Sequence, residues 1–147
     1  MTEEIIHYHF EELIKTIVTL SQTAEKQMYI MGFGHVGDEM VIDFEAHFSD
    51  HISIYLETGL ITLEHFKYLN DYNDYLDRKL EGQTAKFFID RQELMTNSIW
   101  EEIRLESKKL LKLLDRADLD IEVFREVHGN IEWTKTKLIN KNNKHNT

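Results

Sequence analysis

EEIIHYHFEELIKTIVTLSQTAEKQMYIM, residues 3–31, decides the fold class. Within it Ile6, Phe10, Leu13, Ile17, Leu20, Ala24, Met28 and Met31 recur at steps of three and four. Those steps keep all eight on one side of an α-helix, whereas a strand requires strict alternation. Thr2 is a good N-cap, and Glu3 and Glu4 lie at the positive end of the helix dipole. The pattern predicts one helix to about residue 30, closed by the cluster Gly32, Gly34 and Gly37.

Outward from this segment the same period returns. Val41, Phe44, Phe48, Ile52 and Tyr55 form an apolar wedge, so a second helix is expected from about Asp38 to Gly59, with Gly59 as its left-handed terminator. Thr62 caps a third, with Leu63, Phe66, Leu69, Asn73, Leu76 and Leu80 inward and Gly82 at its end. Phe87, Phe88 and Ile89 fit strand or buried helix equally, and their helical neighbours favour a short helix across 83–97. Ser98 and Glu101 have capping-box spacing and open a helix with Ile99, Trp100, Ile103, Leu110, Leu111 and Leu114 inward. Asp118 or Asp120 is expected to cap a last helix carrying Ile121, Phe124, Val127, Ile131 and Leu138. The chain has no proline, so nothing forbids long helices. The expected fold is all-α: a single-domain bundle of about five mostly antiparallel helices over 1–139, followed by a polar, disordered tail at 140–147.

A composition of 41% hydrophobic and 30% charged residues is that of an ordinary globular domain. The absence of cysteine excludes disulfides, thiolate metal sites and thiol catalysis. Neither a secretory signal nor a membrane span is expected, and the reading is cytoplasmic. Charge is distributed unevenly. Residues 1–82 hold 16 acidic and 5 basic side chains, whereas 83–147 hold 11 and 12. Between Lys26 and Lys67 there is no lysine or arginine at all. Such a field repels nucleic acid and anionic membrane and speeds encounter with a basic protein.

At 100° per residue Glu39, Asp43, Asp50 and Glu57 fall within about 40° of one another, opposite the Phe44–Phe48–Ile52 wedge. Glu64 and Asp71 share the outer side of the third helix with Tyr68 and Tyr75. Tyrosine there offers contact area with a hydrogen-bonding tip. A merely solvated face would ordinarily carry basic partners at i,i+4, and that of the second helix lacks them. These eight residues are the candidate partner-binding set.

Other chemistry is weaker. His47 and His51, four apart, could join Asp43 and either His7 or His9 in a metal site, as in a hemerythrin-like or di-iron-like bundle. His9-Phe10-Glu11-Glu12 suggests the former, but only Glu4-Ile5-Ile6-His7 supplies a Glu-x-x-His motif where a di-iron site needs two. Polar surface histidines are the simpler reading, and no metal or cofactor is expected. Gly32-Phe33-Gly34-His35-Val36-Gly37 lacks the lysine and preceding strand of a phosphate loop. No serine sits in a nucleophile elbow and no two of the 27 carboxylates stand out, so no enzyme is expected.

Gly59-Leu60-Ile61-Thr62 leading into a helix, then Trp100-Glu101-Glu102-Ile103-Arg104 and Lys109-Leu110-Leu111-Lys112-Leu113-Leu114, resembles helical bacterial immunity proteins that neutralise polymorphic toxins, including those of contact-dependent growth inhibition. The resemblance covers about residues 59–114, as a pattern of helix starts and apolar spacings. It implies a cytosolic inhibitor of a toxin domain, often a basic nuclease. The charge distribution leads separately to a protein that binds and inhibits a basic partner. A helical DNA mimic that occupies a DNA-binding enzyme has the same charge requirement and stands as an alternative beside the metal-binding bundle.

Overall fold

The computed structural model describes residues 1–142 and is mostly helical. In chain order it runs α1 (Glu3–Leu20), α2 (Ala24–Met31), α3 (Val36–Phe48), α4 (Ile52–Glu57), α5 (Leu63–Leu80), α6 (Ala85–Ile89), α7 (Arg91–Thr96), α8 (Ser98–Leu113), β1 (Leu119–His128) and β2 (Ile131–Asn140). The all-α expectation of about five helices is corrected twice. Three expected helices are broken, the short one across 83–97 at Asp90 among them, and the expected last helix is a β-hairpin.

The first break follows Leu20. Ser21 Oγ donates to the Val18 carbonyl at 2.6 Å, and Thr23 caps a new helix by accepting from Lys26 N. Local side-chain bonds of this kind compete with helix continuation. Gln27 reaches back to the end of α1, its Nε2 donating to Leu20 O and to Thr19 O, which also accepts from Gln22 N. Gln27 is fully buried, and its Oε1 accepts from Arg104 Nε, so α1, α2 and α8 are tied at one point. Arg104 also donates to Leu94 O in α7 and to Glu101. The second break is at Ser49–His51, where the Tyr55 hydroxyl donates to His47 O at 2.7 Å and satisfies an orphan carbonyl of α3.

α5 follows its sequence signals. Thr62 accepts from His65 N, and Gly82 follows at φ +77°. Leu63, expected inward, is 58% exposed, while Tyr72 is buried and shares a 2.6 Å hydrogen bond with Ser107 of α8. α8 starts one residue differently from the capping-box reading: Asn97 is the cap, accepting from Ile99 N. Trp100 is wholly buried, stacked on Phe87 with centroids 4.6 Å apart, and its indole N–H donates to Phe87 O. Gly37 lets α3 approach this ring closely; a Cβ there would stand 2.7 Å from Trp100 Cζ2 and 2.9 Å from Phe88 O.

The hairpin pairs β1 and β2 antiparallel from Leu119↔Asn140 to His128↔Ile131. Gly129-Asn130 forms the two-residue loop, with Gly129 at φ +65° in the first central position, as a type II′ turn requires. Ile121, Val123, Thr134 and Thr136 favour strand through β-branching. The period is two: Ile121 is buried and Leu119, Val123 and Leu138 are half-buried on the face against α1, while Glu122, Phe124 and Trp133 point away. Asn140 ends β2, and Lys141 N donates to Asp118 O. The remainder of the expected tail, residues 143–147, lies outside the described residues.

Candidate functional site

The predicted set divides among three places. Along α3, Glu39 is half-buried, and its carboxylate folds against Gly34, where a Cβ would lie 2.7 Å from Oε1. One turn on, Asp43 lines a groove between α1 and α3 together with Tyr8, Glu12, Lys15, Met40, His47 and Thr136. Partial desolvation, then the neighbouring Glu39 and Glu12 carboxylates, hold the Asp43 carboxyl above its ordinary range; Lys15 opposes them. Asp50 sits in the α3–α4 turn and Glu57 ends α4, both exposed. The single-helix wheel that aligned all four fails at the Ser49–His51 break, so Asp50 and Glu57 belong to a corner and not to a continuous stripe.

Along α5 the prediction holds together locally. The Tyr68 hydroxyl donates to Glu64 Oε1 at 2.8 Å, and this bond raises the phenol above its usual range. Tyr68, Asp71 and Tyr75 line one wall of a groove whose other wall is Glu106, Leu110 and Leu113 of α8. The Lys79 ammonium lies 5.8 Å from the Tyr75 ring centroid. This groove opens toward α8, whereas that of Asp43 opens toward α1.

Among the described residues no ion pair uses Glu39, Asp43, Asp50, Glu57, Glu64 or Asp71. The ion pairs present employ Glu3, Glu12, Glu101, Glu102, Glu106, Glu126 and Glu132. The lysines of the C-terminal half thus leave the candidate carboxylates uncovered.

His47 and His51 do meet a third imidazole. His9 Nδ1 lies 3.0 Å from His47 Nδ1, and the His9 and His51 rings stack at 4.1 Å. Burial is the main cause that lowers both His47 and His51. His9 and His51 lower His47 further, with Lys15, against Glu12; His9 lowers His51 further, against Asp50. His51 Nδ1 is buried with no hydrogen-bond partner among the described residues. The rings face one another and not a common point: the described residues hold no group of three or more His, Asp or Glu side chains arranged to hold a metal ion. The glycine cluster is a tight α2–α3 connection in which Gly32 O accepts from Arg91.

One surface escaped the sequence reading. The outer hairpin face exposes Phe124 and Ile131, both expected inward on a last helix, together with Trp133. Its signal was Gly129-Asn130 between alternating segments. No protein family, curated protein or solved structure gives a significant match to this chain. A mostly helical domain with a C-terminal hairpin is what the coordinates define, and no described helix is long and apolar enough to cross a membrane.

Proposed function

We propose that this chain is a non-enzymatic inhibitor that binds a basic protein through the α3–α4 corner and α5, most concretely as the immunity protein of a nuclease toxin. The observation that carries the reading is the uncovered state of six carboxylates, five of them exposed and none in an ion pair among the described residues. Carboxylates left outside ion pairs forgo the stabilisation that such pairs give, and a surface selected for stability alone mixes signs. Asp50, Glu57, Glu64 and Asp71 would meet lysines and arginines of the partner. Tyr68 and Tyr75 would supply its anchors beside the α8 wall, where a half-buried ring adds area at low entropic cost. The resemblance of 59–114 to toxin-neutralising proteins points the same way.

Complementary charge acts chiefly on association rate and makes it salt-dependent. The test is capture of basic proteins at low salt, followed by binding of the purified captured protein to the Asp50→Lys/Asp71→Lys variant. The reading expects a binder that is a nuclease domain whose activity falls on binding, with association slowed about tenfold or more by the reversal. Unchanged affinity and salt slope in the variant would remove this face. A captured DNA-binding enzyme lacking nuclease activity would move the reading to a DNA mimic.

A further inference from the structure

The hairpin sorts its outward side chains by strand. On the face turned from the helices β1 carries Glu122 and Glu126, and β2 carries Lys135 and Lys137. Between them stand Phe124, Ile131 and Trp133, exposed to 48%, 60% and 56%. A tryptophan and a phenylalanine left half in water on a sheet face are the composition of an interface centre, not of a solvated surface. The charge balance says which partner fits. Residues 1–118 hold 23 acidic and 12 basic side chains, the hairpin 119–140 only 4 and 3. A basic partner is drawn to the helical body and gains nothing from the nearly neutral hairpin. Two copies of the chain, repelled elsewhere, can meet there.

We propose that this face pairs with the same face of a second copy, around a two-fold axis parallel to the strands. Such an axis lays β1 of one copy over β2 of the other. Since Glu122 is the register partner of Lys137, each Glu122 then stands over Lys137 of the second copy, and Phe124 over its Lys135. Phe124 and Trp133 of opposite copies are left as diagonal neighbours, within reach across two packed sheets. The alternative two-fold, across the strands, would set β1 on β1 and acid on acid. Within one chain no Glu122–Lys137 ion pair forms among the described residues, so both groups remain available. The interface is isologous and small, in the class below about 1,200 Å², so the dimer is weak and concentration-dependent.

Sedimentation of the full chain over about three decades of concentration tests this. The wild type is expected to pass from monomer to dimer. Trp133→Thr, at an exposed strand position, is expected to weaken the dimer tenfold or more with an unchanged circular dichroism spectrum. Glu122→Lys and Lys137→Glu should each weaken their own dimer several-fold. Mixed with each other, the two variants should form a heterodimer tighter than either homodimer, because both cross-copy pairs are then opposite in sign while each chain's own pair is like-signed. A wild type that stays monomeric throughout overturns the proposal, as does an unaffected Trp133→Thr dimer or a mixture with no heterodimer preference. Binding of a basic partner through the helical body is untouched by Trp133→Thr, so failure here leaves the proposed function standing.

Discussion

At the residue scale the His9–His47–His51 cluster ties α1 to the corner between α3 and α4. The 3.0 Å contact requires one imidazole nitrogen to donate and the other to accept, so it fails once both rings are protonated. His47 and His51 both titrate below the 6.5 of a free imidazole in the folded chain, because burial disfavours their charged forms. The unfolded chain therefore binds more protons near and below pH 6.5, and the stability this contributes is full above that pH and lost as pH falls through it. Asp43 acts in the opposite sense: its raised carboxyl takes up a proton more readily in the folded state, in the lower range above 3.8. Urea denaturation is expected to show stability declining as pH drops below about 6.5, with the slope reduced in a His47→Gln/His51→Gln variant. An equal slope in both proteins would dissociate the cluster from the effect. Gly37 gives a second residue-scale expectation. Its Cα faces Trp100 and the Phe88 carbonyl with no room for a methyl group, so Gly37→Ala should cost about 1–3 kcal/mol through overpacking, despite alanine's better helix propensity. A gain in melting temperature would contradict that packing.

At the element scale, what could be read in advance depended on whether the signal was local. α5 was legible from Thr62 to Gly82 because its cap, its period and its terminator lie within its own residues. Thr62→Ala should accordingly cost about 1 kcal/mol by leaving His65 N unsatisfied, measurable as a lower denaturant midpoint with unchanged slope. The break after Leu20 had a local signal in Ser21 and the Thr23 cap, which the unbroken apolar period hid. The break after Phe48 had none: Tyr55 reaches back eight residues to the His47 carbonyl. The hairpin was misread for another reason. Ile121, Phe124, Val127, Ile131 and Leu138 satisfy a loose helical spacing, but Gly129-Asn130 interrupts it and the β-branched residues alternate. Turn chemistry outweighed apolar count.

At the scale of the whole molecule the charge asymmetry survives folding, and its arrangement changes. The excess of acidic over basic residues was visible in the chain, as was the shared side of Glu64 and Tyr68, which the structure joins by a hydrogen bond. What a helical wheel could not supply was the tertiary partition: Asp43 turned toward α1, Asp71 and Tyr75 toward α8, Asp50 placed in a turn. Of the two histidines that the sequence set beside His47 and His51, His7 and His9, tertiary packing selects His9, 38 residues from His47. The two proposals thus rest on separate surfaces, heterologous binding on the acidic helical body and self-association on the nearly neutral hairpin.

The most direct measurement is the association rate of the chain with its captured basic partner as a function of ionic strength, for the wild type and for Asp50→Lys/Asp71→Lys. The account predicts a wild-type rate that falls steeply with added salt, and a variant that is slower at low salt with a flatter dependence. Two superimposable curves would contradict it.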